Sequence, residues 1–231
     1  MFYRNVNDEN RQQWLKKVLT SLPQGARILD AGAGELRNQP LCSHLAYVSQ
    51  DFCQYDGGES VLNDGLQTGK WDTSRIDLVC DITSIPELDA SFDVILCSEV
   101  LEHVPDPCKV LDEFARLLKS GGKLILTAPF ASLVHFSPYH YCSGFSRYWY
   151  EYHLPHRGFH IEELTPNGDW FAYFHQELMR LGGMARRYGD WSWPLAYVFG
   201  ILGTLYFKVR GGSKADDLAC FGWHCIAVKS R

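Results

Sequence analysis

No stretch of this sequence reaches the ~20 consecutive apolar residues that a membrane-spanning helix requires. Its eight cysteines include no Cys-x-x-Cys pair, and basic residues are not in excess. The first absence argues against a spanning protein. The second concerns Cys42, Cys53, Cys80, Cys97, Cys108, Cys142, Cys220 and Cys225, several of them inside apolar runs, and predicts reduced thiols packed as small hydrophobes in a cytoplasmic protein. The third, 22 Lys and Arg against 27 Asp and Glu, gives a formal charge of −5 and leaves no overall positive field, so a nucleic-acid partner is not expected. The opening segment MFYRNVNDENRQQW is polar and lacks the apolar stretch of a secretory signal, which also predicts an intracellular location. Internal repeats and low-complexity tracts are missing too.

What is present is an ordinary globular composition, 46% hydrophobic over 231 residues, enough for one sizeable core and a small cap. Trp14, Leu15, Val18 and Leu19 recur at helical spacing and predict a leading amphipathic helix over 8–20. Short apolar runs at 27–30, 46–51, 76–80, 92–98 and 123–128, each bounded by Gly, Pro or acidic residues, have the composition of buried parallel strands. Between the last two, Pro107 suits a first turn, Val110, Leu111, Phe114, Leu117 and Leu118 share a face, and Gly121 follows, which predicts a crossover helix over 106–119. The polar, glycine-bearing segment 54–71 predicts a shortened helix or a loop between the second and third strands. Further on, the patterns predict a strand at 159–164, a helix at 170–181 and a last strand at 221–228. The expected fold is α/β: a doubly wound, mostly parallel Rossmann-like sheet with helices on both faces and a C-terminal helical and aromatic cap. A single domain would span 1–231, with a core at 25–165, a last strand at 221–229 and a cap at about 130–220. Ligands of such sheets bind at the carboxyl ends of the strands.

Those ends carry acids. Asp30-Ala31-Gly32-Ala33-Gly34-Glu35 runs from a strand into a Gly-x-Gly turn that lets backbone approach a ligand. The dinucleotide fingerprint would need Gly or Ala at 37, where Arg37 stands, so a nicotinamide cofactor is disfavoured. Asp51 ends the second strand, placed to accept two ribose hydroxyls. Asp81 follows the third, where it could accept from an adenine amino group beside the apolar Ile82. Such an acid-rich pocket repels pyrophosphate and suits an uncharged adenosine joined to a cationic sulfonium and ammonium. Acids that merely cap helices are the plainer alternative.

Through RILDAGAGE, Asp51, Asp81 and the run SFDVILCSEVLEHVPDPCKVLDEFARLLKSGGKLILTAPF, the chain resembles the class I S-adenosylmethionine-dependent methyltransferases over residues 25–165. The resemblance implies methyl transfer from S-adenosylmethionine, with S-adenosylhomocysteine as product. It places Asp30, Gly32 and Gly34 around the methionine moiety, Asp51 on the ribose, Asp81 and Ile82 at the adenine, and Ser98 and Glu99 on the methionine side. One departure is Glu35, where the family usually has a third glycine; its carboxylate could repel the methionine carboxylate or bind the ammonium.

An oxygen acceptor must lose a proton, and His103, His135 and His140 are the candidate bases, with polar loop histidines as the plainer alternative. His153, His156 and His160 are separated by Pro155 and Gly158, so no metal site is expected. Residues 136–152 hold Phe136, Tyr139, Tyr141, Phe145, Tyr148, Trp149, Tyr150 and Tyr152, either a stacking wall for a sugar or ring or a core layer of the cap. The apolar segment 191–207, flanked by Arg186, Arg187, Lys208 and Arg210, is expected to be a buried cap helix, with peripheral membrane contact or a homodimer surface as alternatives. The expected acceptor is a small-molecule or sugar-containing (glycan-type) hydroxyl, or a lipid-linked one should the membrane reading hold. A non-catalytic assembly subunit that only binds the methyl donor is the competing reading.

Overall fold

The structure, a computed structural model, describes residues 6–55, 66, 69–210, 215–216 and 218–230. Seven strands form one sheet in the order β3-β2-β1-β4-β5-β7-β6. They are β1 (Arg27–Ala31), β2 (Ala46–Asp51), β3 (Leu78–Val79), β4 (Phe92–Ser98), β5 (Leu118–Pro129), β6 (Phe159–Asn167) and β7 (Gly222–Lys229). Strands β1 to β5 pair in parallel, and β7 lies antiparallel to β5 with Leu126 opposite Cys225. The order reverses between β1 and β4, which opens the crevice where ligands of such sheets bind. Consecutive residues such as Ile28 and Leu29, or Val94, Ile95 and Leu96, are buried alike, because the central strands are covered on both faces.

Helix α1 (Val6–Thr20) buries Leu15, Val18 and Leu19. These pack with Leu22, Ile28, Val94, Leu96 and Ile125 in one core cluster. Helix α2 (Pro107–Leu117) begins at Asp106, whose side chain accepts from Lys109 N at 3.2 Å, and it buries Val110, Leu111, Phe114 and Leu117. It stops two residues short of the expected end. Leu118 turns to extended backbone and pairs with Phe92, and the ladder breaks, with Asp93 alone opposite the four residues 119–122, before resuming at Val94 and Lys123. Strand β3 is likewise shorter than expected. The Asp77 carboxylate takes the Ser49 N–H at 2.9 Å and the Ser49 hydroxyl at 2.7 Å, so side chain replaces backbone pairing there. Most of the segment expected to be a short helix or loop, 54–71, lies outside the described residues.

The chain divides into two compact units, Arg11–Thr165 with Gly222–Arg231, and Met1–Asn10 with Pro166–Phe221. Between β5 and β6 the first unit carries α3 (Arg147–His153). The second holds α4 (Trp170–Arg187) and α5 (Trp193–Arg210), which pack on each other. α4 runs six residues past its expected end, through Gly182 and Gly183, because a Cβ at Gly182 would sit 2.4 Å from the Tyr197 ring. The expectation of a buried helix at 191–207 is corrected. Leu195, Phe199 and Leu202 on α5 are each 56% exposed, since α5 meets α4 along its glycines and leaves its large apolar residues outside. Among the described residues, no helix is long and apolar enough to cross a membrane.

Candidate active site

A cavity of about 400 Å³ opens at the carboxyl ends of β1, β2, β3 and β4. Gly32, after β1, has φ +75°, and a Cβ there would lie 2.4 Å from Val100 Cγ2, so only glycine fits. The turn is tied to β2: the Gly32 and Ala33 N–H groups donate to Gln50 O at 2.8 and 2.9 Å. Gly34 N donates to Asp51 Oδ2 at 3.0 Å. Asp51 Oδ1 accepts from Cys53 N at 2.9 Å. Each oxygen of this 5% exposed carboxylate therefore has one backbone donor and a further lone pair for a ligand.

Asp81 sits on the cavity wall beside Ile82. The Thr83 N–H and hydroxyl donate to Asp81 Oδ1 at 2.8 and 2.7 Å, hold the carboxyl below the usual carboxylate range, and leave Oδ2 for a ligand. Glu99 also lines the cavity. Thr127 donates to its Oε1 at 2.9 Å, Arg11 pairs with its Oε2 at 2.9 Å, and its φ of +57° is a strained backbone held by these contacts.

Asp30, Gly34 and Ser98 are not among the residues lining the cavity. Asp30 is buried and accepts from the Tyr47 hydroxyl at 2.6 Å, and burial pushes its carboxyl up to about 6. The Ser98 hydroxyl is shared with Thr127 at 2.8 Å. Glu35 is exposed, accepts from Asp72 N at 3.3 Å and lies outside the lining, so it neither crowds nor holds a ligand in the cavity. Sequence reasoning named Phe136 and Tyr139 but missed their partners: Tyr55 and Trp71 form a wall with Phe136, ring centroids 4.8–5.4 Å apart, and Phe52 meets Tyr139 edge-on at 4.9 Å. Of the aromatic stretch 136–152, Phe136, Tyr139 and Tyr141 line the cavity, whereas Phe145 and Tyr150 are buried and Tyr148 and Tyr152 are exposed.

The three candidate bases come together. His103, on the cavity wall, stands 4.6 Å from His135 and 5.8 Å from His140 by ring centroids, and the latter two are 4.9 Å apart. Burial, with the neighbouring imidazoles, lowers His103 to about 3 and also lowers His140. Both rings are therefore neutral near pH 7.

A mostly parallel sheet with the carboxylates of Asp51 and Asp81 over one cavity at its strand ends is the architecture of an α/β enzyme whose ligand sits at the topological switch point. The profile of the methyltransferase domain family matches residues 3–194, and the chain belongs to this family, as a class I S-adenosylmethionine-dependent methyltransferase. It is 38% identical over 104 residues to a ubiquinone biosynthesis O-methyltransferase of Xylella fastidiosa (strain 9a5c), a match covering 45% of this chain and 42% of that protein. Among solved structures it resembles a Haemonchus contortus phosphoethanolamine N-methyltransferase 2 in complex with S-adenosyl-L-methionine (TM-score 0.53, 20% identity, 96% of this chain and 53% of that one). It also resembles a geranyl diphosphate C-methyltransferase from Streptomyces coelicolor A3(2) (TM-score 0.56, 14% identity, 97% and 79%). These last two likenesses concern the fold, which serves acceptors at nitrogen and at carbon alike in those proteins.

Proposed function

We propose that this protein, with the whole chain acting as one catalytic domain, methylates an oxygen of a small-molecule or glycan-type acceptor. The observation that carries the reading is a single cavity that joins the carboxylates of β2 and β3 to an aromatic wall and a histidine. The O-methyltransferase relative of Xylella fastidiosa supports oxygen as the receiving atom. When bound, S-adenosylmethionine supplies an electrophilic methyl group on a cationic sulfur. Asp51 would accept from the ribose hydroxyls and Asp81 from the adenine amino group, with Ile82 against the ring, and Glu99, fixed by Arg11 and Thr127, would hold the ammonium end. Tyr55, Trp71 and Phe136 exclude water and orient a planar or sugar-like acceptor against the donor. The acceptor proton passes to the histidine cluster, of which His103 stands on the cavity wall with His135 and His140 behind it, and from there to solvent. Incubation with label in the donor methyl and fractionated hydroxylated metabolites, glycans and lipids tests this. Label in an oxygen ether of a hydroxylated compound is expected, and label confined to amines or thiols contradicts it.

One observation favours a lipid-linked acceptor as a second reading. Leu195, Phe199, Ile201, Leu202, Leu205 and Tyr206 of α5 are each more than half exposed, a patch suited to a bilayer interface. Sedimentation with vesicles tests it: a wild type that stays in the supernatant contradicts it.

A further inference from the structure

Beside the cavity three imidazoles cluster, and two of them, His103 and His135, approach a carboxyl group whose oxygens accept no hydrogen bond. His103, His135 and His140 each offer a ligand atom, and all three atoms lie within 4.8 Å of one another. His103 Nδ1 is engaged by the Tyr139 carbonyl and His135 Nδ1 by the Leu133 carbonyl at 2.8 Å, so both rings turn Nε2 to the cluster. A backbone carbonyl on the far ring nitrogen is how proteins usually orient a metal-ligating histidine. Glu102 Oε1 stands 3.7 Å from His103 Nε2 and 4.0 Å from His135 Nε2. Glu102 is fully buried, and neither of its oxygens has a hydrogen-bond partner. Both ring nitrogens of His140 and the Nε2 of His103 are also buried without one. So many buried polar atoms without hydrogen-bond partners are unfavourable and call for a ligand.

We propose that His103, His135 and His140, with Glu102 as the adjoining carboxylate, form a binding site for a zinc-class divalent cation beside the methyl-donor cavity. Imidazole ligands suit zinc and its borderline neighbours, whereas an all-oxygen set would suit magnesium or calcium. Ligand atoms around a tetrahedral zinc lie roughly 3.3–3.4 Å apart, so ligand atoms up to 4.8 Å apart close by as much as about 1.5 Å on binding. Three protein nitrogens leave a position open. An acceptor hydroxyl entering it would lose its proton to solvent more readily, because the cation stabilises the oxygen's negative charge. That catalytic use rests on the oxygen-methylation reading; the cation site does not.

The test uses the untagged 231-residue chain, stripped with chelator and titrated with Co²⁺, alongside His135→Gln and His140→Gln. The expected result is one Co²⁺ per chain with visible ligand-field absorption of low-symmetry, four- or five-coordinate type, displaced by Zn²⁺. Each substitution should weaken binding about tenfold or more. Binding of S-adenosylhomocysteine, retained by both variants, shows that they fold. No specific Co²⁺ band in the wild type, or a band unchanged in the variants, overturns the site. A wild type that binds Co²⁺ but not S-adenosylhomocysteine would sink the methyl-donor reading and leave the cation site standing.

Discussion

Asp51 and Asp30 are both acids at strand ends, yet the structure gives them different work. Asp51 faces the cavity, so Asp51→Ala should weaken S-adenosylhomocysteine binding by about 10- to 100-fold, on the order of 1–3 kcal/mol, in a calorimetric titration. Asp30 is buried against Tyr47, and burial raises its carboxyl from 3.8 to about 6. A raised acid makes the folded state the better proton binder. The resulting cost is absent below pH 4, grows as pH rises and is complete above pH 6. Asp30→Asn should therefore stabilise the protein at pH 8 by on the order of 2–3 kcal/mol and by little at pH 4, as read by denaturant unfolding. A gain equal at both pH values would contradict the burial account. The letters showed the acids but not their direction, because side chains alternate across a strand and one residue's change of register reverses the face.

At the level of elements, the helix that joins β4 to β5 and the buried strands were legible because their periodicity is local. Their ends were less so. Asp106 was legible as the start of α2, and Asp106→Ala should lower unfolding stability by about 1 kcal/mol through loss of the cap on Lys109 N. The far end of α2 is set by a partner distant in sequence, the pairing of Leu118 with Phe92, which helix periodicity does not report. The glycines of 191–207 were equally opaque. Gly200 has the Leu178 carbonyl oxygen 2.7 Å from where its Cβ would stand, and Gly203 has Leu178 Cδ1 at the same distance. Their role is close helix approach, not a break. Gly200→Ala should cost roughly 1–3 kcal/mol in thermal or denaturant unfolding, because a backbone carbonyl cannot step aside as a side chain can. A neutral substitution there would contradict the packing of α4 on α5.

Over the whole molecule, the mostly parallel α/β sheet and the two acids that reach the cavity, Asp51 and Asp81, follow from strand ends that the sequence marks one by one. The aromatic wall and the histidine cluster do not, since Tyr55, Trp71 and Phe136, like His103 and His135, meet only when the segment after β5 returns beside the ends of β2 and β4. No spacing rule joins them. The central claim, that the carboxylates of β2 and β3 hold a positively charged adenosyl donor, is tested most directly by a crystal structure of the protein with S-adenosylhomocysteine. The account predicts the ribose hydroxyls within hydrogen-bond distance of Asp51 and the adenine amino group on Asp81, with Ile82 against the ring. A nucleoside bound elsewhere, or one that leaves both carboxylates without contact, would contradict it.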